Sequence, residues 1–298
     1  MNKTGSGSML WSVAIILCLI ASLFALSFAS CTRTGADASD GGLNVEHEDL
    51  TGLKPEDDDG PSSPSAPEGN GAPGDPSGET GGPAMGTGPV RLGETPDAGR
   101  EYLDKLIFLG DSTTYGIGYY YDRGFSEELV PPSQVWTPAS GTLTLAYYAT
   151  ATIVYPETGE EISIRDAVER SKPEYLVITL GVNGLSFMDK DWFIRDYTSL
   201  VEMVKTASPE TKIILNSIYP VTAGYPYQKD INNEKIRAAN GWIEQIAADT
   251  GVRFLYSHEA VADADGNLPE DSTNDIGIHL TGEAFTKVMR YIRTHEYR

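Results

Sequence analysis

Four short apolar runs, residues 106–109, 175–180, 213–218 and 252–256, are separated by segments whose apolar residues recur at helical spacing. Phe193, Tyr197, Leu200, Val201 and Val204 fall at i, i+4, i+7, i+8 and i+11. Ile236, Ala239, Ile243, Ile246 and Ala247 fall at i, i+3, i+7, i+10 and i+11, and Phe285, Val288, Met289 and Ile292 at i, i+3, i+4 and i+7. Each stripe makes one face of a helix, and each run is short and apolar enough for a strand buried on both sides. A chain that alternates in this way hides its apolar surface by covering both faces of a parallel sheet with helices. Pro173 closes a shorter helix that starts near Ile164, and Pro209 and Gly251 mark the other helix-to-strand joins. Between Trp136 and Ile164 the alternation stops. There TLTL, ATIVY, a turn-like PETG and EEISI predict extended strands with a hairpin, inserted beside the main sheet.

The alternation is confined to residues 99–298, the size of one domain. Residues 32–98 are of another kind: they hold 9 of the 18 prolines, 14 of the 31 glycines, and 14 acidic against 3 basic residues. Such a segment buries too little apolar area to offset its chain entropy, so a disordered, self-repelling tether is expected over 32–98. Residues 9–30 carry no charge, with Lys3 before them and Arg33 after. The stretch is long enough for a membrane span and has the order of a secretory signal, and both readings put the rest outside the cytosol. Cys18 and Cys31 are the two cysteines, so nothing after residue 31 can form a disulfide within the chain. With a net charge of −21 and no basic run, phosphate backbones and anionic headgroups repel the chain, which argues against nucleic acid as a partner.

In an open parallel sheet ligands bind beyond the carboxyl ends of the strands. The first strand runs into GDSTTYG, which places Ser112 on the turn after it; the second ends in GVNG, which places Asn183 at the same edge; DIGIHLTGEAF places His279 just before the last helix, with Thr281 as its N-cap. A serine hydroxyl needs a base to become a nucleophile, and imidazole is suited to that near neutral pH. Of the four histidines, His47 lies in the tether, His295 is three residues from the end and His258 has no accompanying signal, so His279 is the candidate base. Attack on an ester carbonyl places negative charge on its oxygen, for which the Asn183 amide and the Ser112 backbone N–H are the candidate donors. Asp111 is expected to hydrogen-bond within its turn. No metal-ligand spacing, Walker loop or GxGxxG occurs, so no cofactor is implied.

Gly110 to Ser112, Gly181 to Asn183 and the pair His279-Leu280, in this order, resemble the signature blocks of the SGNH hydrolases, also called GDSL esterases. The resemblance spans residues 103 to 293. It implies a three-layer α/β/α sandwich with a flavodoxin-like, mainly parallel sheet, and membership of a family of esterases, lipases and carbohydrate deacetylases that work without a metal. It also implies a glycine N–H as a further oxyanion donor, for which Gly141 in Ser140-Gly141-Thr142 is favoured and Gly159 is the alternative. The family places Asp three residues before the catalytic His, where this chain has Ile276, with Asp275 one place earlier. Three outcomes stand open: a bulged loop lets Asp275 reach His279, a backbone carbonyl orients the imidazole, or activity has decayed. Phe28-Ala29-Ser30-Cys31 resembles a lipobox, so residues 1–31 are expected to anchor the chain, either through lipid on Cys31 or as an uncleaved helix. The expectation is an extracytoplasmic, membrane-anchored monomeric serine esterase for O-acetyl groups on glycans. The alternatives are a lipid-directed esterase or thioesterase, or a surface binding protein that has lost turnover.

Overall fold

The computed structural model describes residues 90–298. The apolar stretch at 9–30, both cysteines and the acidic segment as far as residue 89 lie outside the described residues.

Helix α1 (Gly99–Leu103) leads into β1 (Leu106–Gly110) and then α2 (Ser112–Tyr120). A two-residue strand β2 (Val135–Trp136) is followed by β3 (Thr152–Val154), β4 (Glu161–Ser163) and α3 (Ile164–Ser171). The remainder is β5 (Tyr175–Thr179), α4 (Lys190–Ala207), β6 (Lys212–Asn216), α5 (Asn233–Thr250), β7 (Arg253–Leu255) and α6 (Gly282–Arg293). Five strands form one sheet in the order β2-β1-β5-β6-β7, every pair parallel. This is the flavodoxin-like order, and the helices cover both faces.

Side chains of successive strand residues point to opposite faces. Leu176 and Ile178 of β5 pack with Phe193, Tyr197, Ile236 and Ile243 of α4 and α5. Tyr175 and Val177 pack on the other side with Ile117 of α2 and with Phe285 and Val288 of α6. Every residue of β5 is buried, as expected of a central strand covered twice. The helical stripes predicted for α4, α5 and α6 are the buried faces of those helices.

The expected hairpin is present as the antiparallel pair β3–β4, outside the main sheet. TLTL is not a strand: Leu143 and Leu145 are buried, but the backbone enters a 3₁₀ turn at Leu145–Tyr147. Alternating burial without a partner to bond the backbone does not make a strand. Strand β2 was invisible in sequence because two residues carry no period.

The folded unit also begins before residue 99, which corrects the expected limit of the tether. Phe254 N–H donates to Val90 O at 2.9 Å and Leu92 N–H donates to Phe254 O at 2.8 Å, so residues 90–92 line the free edge of β7. Arg91 pairs with Glu244 at 2.6 Å, and Leu92 is only 7% exposed. Composition averaged over 67 positions hides a three-residue segment, Val90-Arg91-Leu92, that satisfies an otherwise open sheet edge. Leu92→Ala is therefore expected to lower the free energy of unfolding by about 2 kcal/mol in urea titrations. An unchanged midpoint would show that this segment does not belong to the folded unit.

Candidate active site

Strands β1 and β5 are neighbours, yet the chain leaves β1 toward β2 on one side and returns to β5 on the other. A crevice forms at such a switch point, beyond the carboxyl ends of the two strands. Gly110 and Thr179 face each other in register there. A Cβ on Gly110 would collide with Thr114 Oγ1 and with Thr179 O, so only glycine lets α2 start so close to the sheet.

Asp111 caps that helix. Its Oδ1 accepts from Thr113 N–H at 2.9 Å and from Thr113 Oγ1 at 2.7 Å. Asp111 is fully buried, and burial pushes its carboxyl above the usual range against the opposing pull of the Thr113 hydrogen bonds. Ser112 is the first helical residue, so its N–H has no acceptor within the helix.

After β5, Gly181 sits at φ +127 against the Phe193 ring, a backbone state that other residues rarely adopt, and the chain turns through Val182–Gly184. This brings the Asn183 amide over the strand ends. Its Nδ2 donates to Leu143 O at 3.0 Å and, more weakly, to Asp111 Oδ2 at 3.4 Å. The loop containing Leu143 is the one expected to supply a glycine donor. Gly141, however, lies at φ +71 and its N–H donates to Pro138 O at 2.8 Å, while Gly159, at φ +72 in the hairpin turn, donates to Tyr155 O at 2.8 Å. A backbone amide has one hydrogen, and in both glycines a turn uses it. Gly141 and its alternative are thus corrected to turn formers; Gly141 remains near the site, with the Cγ of Tyr115 3.9 Å from where its Cβ would be.

The third segment carries the candidate base. His279 Nε2 lies 2.9 Å from Ser112 Oγ, and His279 Nδ1 lies 2.5 Å from Asp275 Oδ2. A carboxylate only accepts, so Nδ1 carries the proton and Nε2 is left to accept from the serine hydroxyl. Of the three open outcomes, the bulged loop is the one present. Asp275 Oδ1 accepts from the N–H groups of Gly277, Ile278 and His279 at 3.0, 3.1 and 3.2 Å and from Thr273 Oγ1 at 3.0 Å. The extra residue, Ile276, is pushed outward and is 43% exposed. Gly277, at φ +111, closes the bulge, with no space for a Cβ beside Thr222. Thr281 caps α6 by accepting from Ala284 N–H, as expected.

The other described histidines are occupied elsewhere. His258 is buried, stacks on Tyr256 and bonds Ile218 O through Nδ1 at 3.1 Å; His295 stacks on Tyr291. Several residues outside the sequence motifs support the His279 loop. Asn240 exchanges two hydrogen bonds with the backbone of Ile218, and Asn233 does the same with Val221. These pin the loop whose Thr222 N–H donates to Gly277 O at 2.9 Å. Asn274 Nδ2 donates to Tyr120 OH at 2.6 Å, which ties the histidine loop to the end of α2. The available signal was two asparagines seven apart on a helix whose neighbouring positions are apolar.

Burial alone would raise the Asp275 pKa, but the His279 hydrogen bond and charge, together with the backbone N–H groups, outweigh it and hold the carboxyl well below the usual range. The folded state thus binds the ionised form preferentially. The resulting stabilisation is complete above the unfolded value of about 4 and is lost as the pH falls from there toward the folded value. Urea unfolding of wild type and Asp275→Asn should show a gap at pH 7 and pH 5 that narrows at pH 3. A gap that is constant or wider at pH 3 contradicts this assignment.

A model of the GDSL-like lipase/acylhydrolase family matches residues 108–285. Among solved structures, a GDSL-like lipase from Bacteroides thetaiotaomicron is 19% identical, with 64% of this chain and 87% of that one covered and a TM-score of 0.44. A carbohydrate esterase family 3 protein from Talaromyces cellulolyticus is 17% identical, with coverages of 62% and 92% and a TM-score of 0.41. The periplasmic domain of a lipopolysaccharide acetyltransferase from Salmonella ser. Paratyphi A is 14% identical, with coverages of 67% and 82% and a TM-score of 0.39. No curated protein matches the chain. The matched family segment takes in Ser112, Asn183, Asp275 and His279 and extends over more than half of the sequence: the chain belongs to the GDSL-like lipase/acylhydrolase family.

Proposed function

We propose that the protein is a serine esterase that hydrolyses carboxylic esters through an acyl-enzyme, with O-acetyl groups on glycans as substrates. The observation that carries this reading is the unbroken hydrogen-bond line from Asp275 through His279 to Ser112 Oγ. In the first step Ser112 Oγ attacks the carbonyl carbon while its proton passes to His279 Nε2. Asp275 keeps the imidazole in the required tautomer and offsets the charge it acquires. The oxyanion takes hydrogen bonds from the Ser112 N–H and from Asn183 Nδ2, replacing the long contact to Asp111. Collapse breaks the ester C–O bond, and the departing alkoxide takes the proton from Nε2. Water then attacks the acyl group, gives its proton to His279, and collapse releases the carboxylic acid as the proton returns to Ser112.

The place of action follows from the uncharged stretch at 9–30 and from Cys31: the hydrolase is held outside the cytosol by a lipid or helical anchor. A substrate near the cell envelope fits that position. The acetyl preference rests on analogy with the family and on this location.

Hydrolysis of p-nitrophenyl acetate and octanoate tests the reading. Ser112→Ala and His279→Ala should each lower kcat by at least about 10³-fold, and Asp275→Ala should follow them. Asn183→Ala should lower kcat by about 10²- to 10³-fold with little change in KM, because it acts on the oxyanion and not on the bound ester. A fluorophosphonate probe should label the wild type at Ser112 and leave Ser112→Ala unlabelled. Activity no higher than that of Ser112→Ala, together with no label, would replace this reading with that of a surface binding protein.

A further inference from the structure

A cleft of about 650 Å³ opens along α2 beside the nucleophile, within the size range of small-molecule sites. Tyr115, Gly118, Tyr119 and Asp122 line it from one side at i, i+3, i+4 and i+7, a single helical stripe, and Ser112 lies one turn before that stripe. The opposite wall comes from Thr137, Pro138 and Ala139, on the loop that leads to Gly141, and from Val154 and Pro156 of the hairpin. Val154 N–H donates to Thr137 O at 3.0 Å, so the hairpin and the loop form one continuous wall.

The chemistry of this cleft is divided along its length. Three residues after Ser112 comes Tyr115, which is 50% exposed and presents an aromatic face to the cleft. Farther on, Gly124 at φ +100 turns the chain out of its helical path, and Arg123 folds back over Tyr119. Its guanidinium lies 3.5 Å from the Tyr119 ring centroid and Nη1 donates to Tyr119 O at 2.8 Å. One ring is thus covered by the cation while the other is open. Asp122 and Arg123 are both exposed at this end and offer an acceptor and several donors, those of Arg123 held in place by its contacts with Tyr119.

A hydrocarbon chain extending to this end of the cleft would desolvate the exposed Asp122 carboxylate and the remaining Arg123 donors without offering them a polar partner, which is costly. A pyranose ring presents a C–H face and a rim of hydroxyls, so it matches an open aromatic face with charged hydrogen-bonding groups beyond it. We infer that the cleft is a pyranose subsite, in which the sugar bearing the ester lies on the Tyr115 ring with hydroxyls toward Asp122 and Arg123 and the ester toward Ser112. This rests on the esterase reading above and deepens it by assigning the residues that bind the sugar ring.

The test compares the full-length protein with Tyr115→Ala, Tyr115→Phe and Arg123→Ala on O-acetylated xylo-oligosaccharides, O-acetylated chito-oligosaccharides, p-nitrophenyl acetate and p-nitrophenyl octanoate. Wild type should prefer one acetylated oligosaccharide to p-nitrophenyl acetate. Tyr115→Ala and Arg123→Ala should each reduce the ratio of the two kcat/KM values about tenfold, mainly through KM, and Tyr115→Phe should hold it within about twofold. The inference is overturned if neither oligosaccharide is preferred, if the ratio is unchanged in both alanine variants, or if the loss falls on octanoate, which would make the cleft an acyl site. Calorimetric titration of Ser112→Ala with both oligosaccharides makes the test independent of turnover. Saturable binding that the added Tyr115→Ala substitution abolishes supports the subsite, and absence of binding to either overturns it. Failure of the esterase reading is separately visible, as p-nitrophenyl acetate hydrolysis that does not depend on Ser112.

Discussion

The close approach of two parallel strand ends sets everything else in this site. Gly110 stands opposite Thr179 with no space for a side chain, and from that point α2 starts on one strand and the Asn183 turn on the other. Because β1 and β5 are buried on both faces and bonded along their length, the two turns inherit the rigidity of the core. A hydroxyl at a helix start and an amide at a strand end are therefore held without direct bonds between them; the buried Asp111 carboxylate, which reaches both Thr113 and Asn183, is the link. The histidine arrives from a distant part of the chain and needs its own support. It is held from below by the Asn240 and Asn233 loop through Thr222 and Gly277, and from the side by Tyr120 through Asn274.

Much of this was legible in the residues. The periods of α4, α5 and α6 and the apolar runs of β1, β5, β6 and β7 are strong signals because each element is long or buried on both faces, so burial imposes its period directly. Ser112, Asn183 and His279 stand out as candidates in sequence because each sits at a strand end or helix start, where the chain itself marks the position. The parts that were not legible depend on tertiary partners. Strand β2 exists because β1 has an open side, and residues 90–92 are ordered because β7 does. Residues 142–145 have the right alternation but meet no edge, and so curl into a turn.

Within the site the same distinction holds. The spacing of Asp275 from His279 was one residue off the family pattern, and nothing in sequence decides whether a loop absorbs such an insertion. It is absorbed here because Gly277 accepts a positive φ and because one carboxylate oxygen collects three consecutive N–H groups, leaving the other for the imidazole. Gly141 was placed from its local sequence, which gives its position but not the acceptor of its N–H; the turn to Pro138 takes that hydrogen.

The hairpin β3–β4 shares no ladder with the five-stranded sheet, although it makes one wall of the cleft beside Ser112. It is attached through the Val154 N–H bond to Thr137 O, the Ala139 N–H bond to Glu161, the Tyr155–Ser171 hydroxyl pair and the packing of Ile153, Tyr155 and Ile162. Residues facing the cleft from this wall can change, lengthen or shorten without moving the register of β1 against β5. The strand ends that hold Ser112 and Asn183 are thus mechanically separate from the wall that borders the cleft, and the hairpin can shift as a unit without pulling on the sheet that carries them.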